Sequence, residues 1–229
     1  ERFGFNTTTQ RTWCLDHVKG LALMVLLGWP LLVLVLKLVD WTGPRWWFWA
    51  WLTMLASQFM IFMLAPVILL PLFNKFAPLP EGTLRDRLFA LARRTGFRAR
   101  DVFVMDGSKR SRHSNAFFTG LGKFRRIVLF DTLVAQLGEP ELEAVVAHEI
   151  GHFKRKHVAK MLAASAFGAL VGFFVIAWLA RQGWLARDFG FEARGITPTL
   201  LLAGLLGGTV SFWLSPVVHD WSRRHEYEA

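Results

Sequence analysis

The sequence predicts a mainly α integral membrane protein in which transmembrane helices flank a small inserted α+β domain. Three observations predict it. Hydrophobic residues fill 53% of the 229 positions and the mean hydropathy is +0.34, more apolar than a soluble chain of this length needs for its core. The excess is gathered into four runs, 21–39, 46–72, 158–179 and 200–218, each at or near the ~20 residues that cross hydrocarbon as a helix. Between the second and third runs, 74–156 is polar and carries turn signals and short alternating stretches.

Residues 1–72 are therefore expected to hold an N-terminal segment and two spans. Residues 73–157 form the insert, and 158–229 hold two further spans and a polar tail. The first run begins about twenty residues in and leads to a second span, not to a small-residue cleavage site, so it is not a signal peptide. Trp41, Trp46, Trp47, Trp49 and Trp51 read as an aromatic belt at the membrane interface. A single cysteine, Cys14, excludes an intrachain disulfide.

Within the insert, Pro78, Pro80 and Gly82 mark a loop, and Thr83 caps a helix reaching Arg94. Residues 101–107, 113–120 and 125–133 read as strands, the last two joined through Gly120 to Lys123 as a hairpin. Gly138 and Pro140 open a helix through ELEAVVAHEIGHFKRKH, with Glu139, Glu141 and Glu143 at its positive end.

The net charge of +10 does not call for nucleic acid. Residues 73–160 hold 17 of the 27 Lys and Arg and 9 of the 17 Asp and Glu, whereas 181–199 hold only Arg181, Arg187 and Arg194 against Asp188 and Glu192. The positive-inside rule puts 73–160 in the cytoplasm, where anionic headgroups of the lipid bilayer account for the basic surface. The tryptophan and arginine usage fits a bacterial inner membrane, with the endoplasmic reticulum in its place for a eukaryotic source.

The insert's last helix carries chemistry. His148 and His152 are four residues apart, about 40° round a helix, so both imidazoles leave one face and can share a tetrahedral zinc ion. Glu149 stands beside them without being the natural third ligand of the pair. In the His-Glu-x-x-His pattern the zinc acidifies a water and polarises a peptide carbonyl, and the glutamate takes the proton. A second histidine pattern fails: position 158 is Val158 and position 155 is Arg155, which leaves His157 beside the site or at the interface.

Topology narrows the third ligand. Span three carries Glu192 some ~30 Å away across the bilayer, while span four returns the chain and delivers SRRHEYEA, so Glu226 or Glu228 can reach the metal. The two lie about 200° apart on a helix, so only one can face it, and spacing does not choose between them. His219 and His225 flank this end.

With those residues in hand, the chain resembles the CAAX prenyl endopeptidases, membrane-embedded zinc metalloproteases of the gluzincin type. The resemblance rests on FNKFAPLPEG (73–82), DGSKRSRHSNAFFTGLGKFRRIVLFDTL (106–133), AHEIGHFKRKH (147–157) and SRRHEYEA (222–229), in the family's order, and on ERFGFNTTT at the start. It implies that the insert is a zinc-metalloprotease domain with His148, His152 and Glu226 as ligands, the last in preference to Glu228, and Glu149 as general base. It also implies that Asn115 and Ala116 bind substrate backbone at a sheet edge. The implied substrates are prenylated CAAX proteins, cut three residues from their C termini, or other membrane-associated peptides. The family's chamber has seven helices and its last motif continues past position 229. The chain is therefore expected to be a fragment, lacking upstream spans and a C-terminal part. Two other readings compete with this one: a quality-control membrane protease of the HtpX kind, and a non-enzymatic scaffold with a vestigial metal motif. Intact His148, Glu149, His152 and Glu226 count against the scaffold.

Overall fold

The computed structural model describes residues 4–120, 125–191 and 196–229. Helix α1 (Gln10–Leu23) runs through a π-helical turn (Met24–Gly28) into α2 (Trp29–Thr42), with Pro30 in the first turn, where its missing N–H leaves no bond unmade. A 3-10 turn, Gly43–Arg45, follows, with Gly43 at φ +52°, a conformation that favours glycine. Helix α3 (Trp46–Leu64), a π-helical turn (Ala65–Leu69) holding Pro66, and α4 (Leu70–Phe73) complete the run.

Among the described residues, three helical stretches are long and apolar enough to cross a membrane: Gln10–Phe73, His157–Gln182 and Ile196–Glu228. At 1.5 Å per residue the first would extend about 95 Å if straight, roughly three hydrocarbon thicknesses. It does not run straight. Lys19 Nζ donates to the carbonyl of Leu72 at 2.8 Å, so the two ends of the stretch meet and Gly43–Arg45 is the tip of a hairpin.

The insert follows in the order β1 (Phe76–Pro78), α5 (Thr83–Arg94), β2 (Ala99–Met105), β3 (Ala116–Thr119), β4 (Arg125–Phe130), α6 (Asp131–Gln136) and α7 (Glu139–Lys154). Its sheet has the order β1-β2-β4-β3; β2 and β4 run parallel and the other pairs antiparallel. The β3–β4 pairing expected from the sequence is present, with Ala116 opposite Leu129. The Gly120 to Lys123 connection lies, from position 121 on, outside the described residues, as does Glu192.

Several boundaries differ from expectation, each for a local reason. Residues 76–78 lie in the stretch read as a loop from its prolines. They form an edge strand, where proline's missing donor is tolerated. Thr83 is not a cap: its hydroxyl donates to Glu139 at 2.5 Å, and Gly82 holds the cap position. The strand expected to reach Leu133 ends at Phe130. Asp131 then starts a helix and accepts the Ser108 amide at 2.8 Å. Helix α7 stops at Lys154, and Lys156, at φ +56°, breaks it from α8 (His157–Gln182). A short α9 (Trp184–Asp188) and a long α10 (Ile196–Glu228) close the chain.

The chain divides into two compact units. The first comprises Glu1–Leu23, Met60–Arg155 and Ala229. Its core gathers one face of α5 (Leu88, Leu91 and Ala92) and one face of α7 (Leu142, Val146 and Ile150) with Val102, Ile127 and Leu129 of the sheet. The second comprises Met24–Phe59 and Lys156–Glu228, where Trp46, Ala50 and Ala177 are buried under Val35, Val39 and Phe173. The Trp51 indole donates to the Ala166 carbonyl at 2.8 Å. The expected aromatic belt is therefore only partial. Trp41 and Trp49 are exposed, but Trp46 turns into the helix packing.

Candidate metal centre

Helix α7 presents two faces with different work. Leu142, Val146 and Ile150, spaced by four, are buried against the sheet, at 1%, 0% and 1% exposure. His148 and His152 lie on the opposite side, about 200° and 240° round from Val146. The N-terminus is secured by Glu141, whose carboxylate accepts the Gly138 amide at 2.8 Å. Ion pairs from Arg87 and Arg94 of α5 to Glu143, at 2.9 and 3.0 Å, fix the helix laterally. Near its far end Phe153 packs edge-on to Phe97, and the Arg125 guanidinium lies 4.1 Å from its ring centroid.

The helix brings the two histidines together. Their Nε2 atoms are 3.1 Å apart and the rings are nearly perpendicular, at 89°. Two nitrogens on one tetrahedral zinc, at about 2.05 Å each, would lie about 3.3 Å apart, so the pair fits that ion. Glu149 is half-buried on the same helix. Gly151 lies between the histidines, and the Ala229 carbonyl occupies the space that a Cβ there would need.

The other predicted residues fall on two elements. Asn115 precedes β3, the strand that ends the sheet beside α7. Its carbonyl accepts the Phe130 amide at 3.0 Å, and its side chain accepts the Ala116 amide at 2.8 Å. Ala116 is buried and opens the strand. Glu226 and Glu228 lie in the last turn of α10, in the second unit. There Glu228 lies 3.4 Å from Nε2 of buried His157, and His157 stacks on buried His225 with ring centroids 4.1 Å apart. Glu228 and His157 are thus in contact.

An apolar cavity of about 530 Å³ flanks β3 in the first unit, lined by Phe62, Met63, Pro66 and Val67 of the second arm and by Phe117 and Phe118. The sequence carries no signal for it, since a span's end and a strand 50 residues later must first meet.

The sequence pattern of peptidase family M48 matches residues 78–229, which contain Asn115, Ala116, His148, Glu149, His152, Glu226 and Glu228. The chain belongs to that family. Residues 1–75 match a second family described as the CAAX prenyl protease N-terminal region with five membrane helices. A CAAX prenyl protease 1 homolog of Dictyostelium discoideum is 36% identical across the whole chain, which covers 54% of that protein. CAAX prenyl protease 1 of Saccharomyces cerevisiae is 40% identical over 83% of this chain and 42% of its own. A crystal structure of S. mikatae Ste24p superposes with a TM-score of 0.89 at 35% identity, over 99% of this M48 chain and 56% of that one. The chain thus spans about half the length of the relatives it matches.

Proposed function

We propose that this M48 chain forms the catalytic part of a membrane-embedded zinc endopeptidase that trims CAAX-type C termini of prenylated or membrane-associated peptides. The observation that carries the reading is the convergence of the His148 and His152 nitrogens to 3.1 Å on a helix that also bears Glu149. Glu226 is the third ligand in this reading, supported by membership of the family and by the contact of Glu228 with His157. When bound, zinc supplies a Lewis acid and an acidified water. Glu149 takes the proton of the attacking water as it adds to the peptide carbonyl, and returns it to the leaving amine as the C–N bond breaks.

Asn115 and Ala116 grip the substrate backbone as an added strand at the edge of the sheet, the usual way an extended peptide is held beside such a helix. The apolar cavity beside Phe117 and Phe118 takes an aliphatic or isoprenoid group of that peptide. The insert faces the cytoplasm by its excess of Lys and Arg, in a bacterial inner membrane or the endoplasmic reticulum.

The test uses the full-length protein in lipid nanodiscs. Zinc is measured in wild type, His148→Ala and Glu149→Gln, and turnover is measured on a farnesylated CAAX peptide and on an unfolded membrane protein. The expected result is peptide cleavage that Glu149→Gln abolishes while keeping its zinc, and zinc loss in His148→Ala. Equal zinc in wild type and His148→Ala would overturn the metal assignment. Turnover of the unfolded protein alone would replace CAAX processing with quality control.

A further inference from the structure

The loop that leads into β3 is held by an ion-pair cluster on α1 and the end of the hairpin. Arg110 sits five residues before Asn115 and uses its guanidinium on three residues of two segments at once. Nε and Nη2 donate to the two Asp16 carboxylate oxygens at 2.8 and 3.0 Å, a bidentate pair. Nη1 donates to Asn74 Oδ1 at 3.0 Å, and Nη2 also donates to the Phe73 carbonyl at 2.6 Å. Asp16 belongs to α1, while Phe73 and Asn74 are where the second arm of the hairpin ends. Both charged side chains are three-quarters or more shielded from water, at 25% and 21% exposure.

The backbone of the same loop is pinned as well. The Arg110 carbonyl accepts from the Thr7 amide at 3.1 Å and from the Thr8 hydroxyl at 3.1 Å. The Arg112 amide donates to Phe5 at 2.9 Å, and the Phe5 ring stacks on His113 at 4.5 Å. Beyond that, the His113 carbonyl accepts from Thr132 at 2.9 Å, and the Asn115 carbonyl from Phe130 at 3.0 Å. From 108 to 115 the chain is thus tied on one flank to the N-terminal segment and the hairpin, and on the other to β4 and α6.

We infer that the Asp16–Arg110 pair is a positioning device for the substrate strand: it sets the approach of residues 111–115, and hence where Asn115 and Ala116 present their backbone. Among the described residues, neither Asp16 nor Arg110 makes a hydrogen bond or ion pair with α7. The inference rests on the proposed role of Asn115 and Ala116. Asp16's hydrogen bond to Arg110 raises the Arg110 pKa further above its ordinary value, so the guanidinium stays charged at any working pH. Lysine cannot replace it, because an ammonium lacks the planar fork that holds Asp16 and reaches Phe73 and Asn74 together.

The experiment compares Asp16→Asn and Arg110→Lys with wild type, in full-length protein in nanodiscs. The readouts are amide hydrogen exchange over 111–119 and over 139–154, zinc content, and KM and kcat on the farnesylated CAAX peptide. In both variants, exchange over 111–119 and KM are each expected to rise about tenfold, while kcat, zinc and protection of 139–154 stay within about twofold, as befits lost positioning. Asn74→Ala, which removes one of the four side-chain hydrogen bonds, shows the same pattern at smaller size, and decides the matter should a charge variant misfold. Unchanged exchange and KM overturn the inference. So does a parallel loss of zinc, kcat and protection throughout, which would make the pair a general brace. If wild type fails to cut the peptide, the proposed function falls, and exchange over 111–119 alone judges the positioning role.

Discussion

Glu226 and Glu228 stand two residues apart and look interchangeable in sequence, yet their surroundings separate them. Glu228 lies beside buried His157, while His157 and His225 stack and fix the rotation of the last turn of α10. Glu226→Gln is therefore expected to weaken zinc binding by at least about 100-fold, and Glu228→Gln to leave zinc content close to wild type, as titration with a competing chelator would show. An equal loss in both would defeat the assignment of Glu226. The histidine pair and its glutamate were legible in the sequence because a spacing of four has a fixed angular meaning on a helix. The partnership of His157 with Glu228 was not, since it joins positions 71 apart through packing that no local pattern encodes.

Helix α7 is held to the sheet by a stripe opposite its histidines, so damage to that stripe should reach the metal indirectly. Ile150→Ala removes a side chain that is 1% exposed and is expected to cost about 2–5 kcal/mol of insert stability, read as a lower temperature for zinc release in a thermal scan. Zinc affinity of the folded protein at low temperature should change little. On the neighbouring element, Ala65 lines the cavity beside β3, and Ala65→Phe fills part of its 530 Å³. The expected outcome is a KM raised about tenfold for a farnesylated peptide and nearly unchanged for its unprenylated counterpart, the size of effect a few buried methylenes produce. Strand β4 and helix α7 were readable from alternation and capping. Strand β1 and the break at Lys156 were not, because proline tolerance at an edge and a left-handed lysine depend on neighbours distant in the chain.

Across the whole molecule, Lys19 meets Leu72 close to where the insert begins, so the cytoplasmic face proposed for the insert is proposed for the N-terminal helix as well. Cys14, exposed on α1 and the one cysteine of the 229 residues, can report that side. A membrane-impermeant maleimide should label it from the cytoplasmic face only, in full-length protein with any other cysteine replaced. Labelling from the opposite face would invert the topology. Composition was enough to mark the long apolar helices, because hydrocarbon demands long apolar runs whatever the tertiary detail. It could not show that Trp46 turns inward, a choice made by the packing of Ala50 and Ala177. The division into units also bears on biosynthesis. Apart from Ala229, all of the first unit precedes residue 156, so its sheet and helices α5 and α7 are complete before α8 is translated. A nascent chain halted near residue 190 would already hold a folded, protease-resistant insert, and the order of synthesis would be the order of assembly.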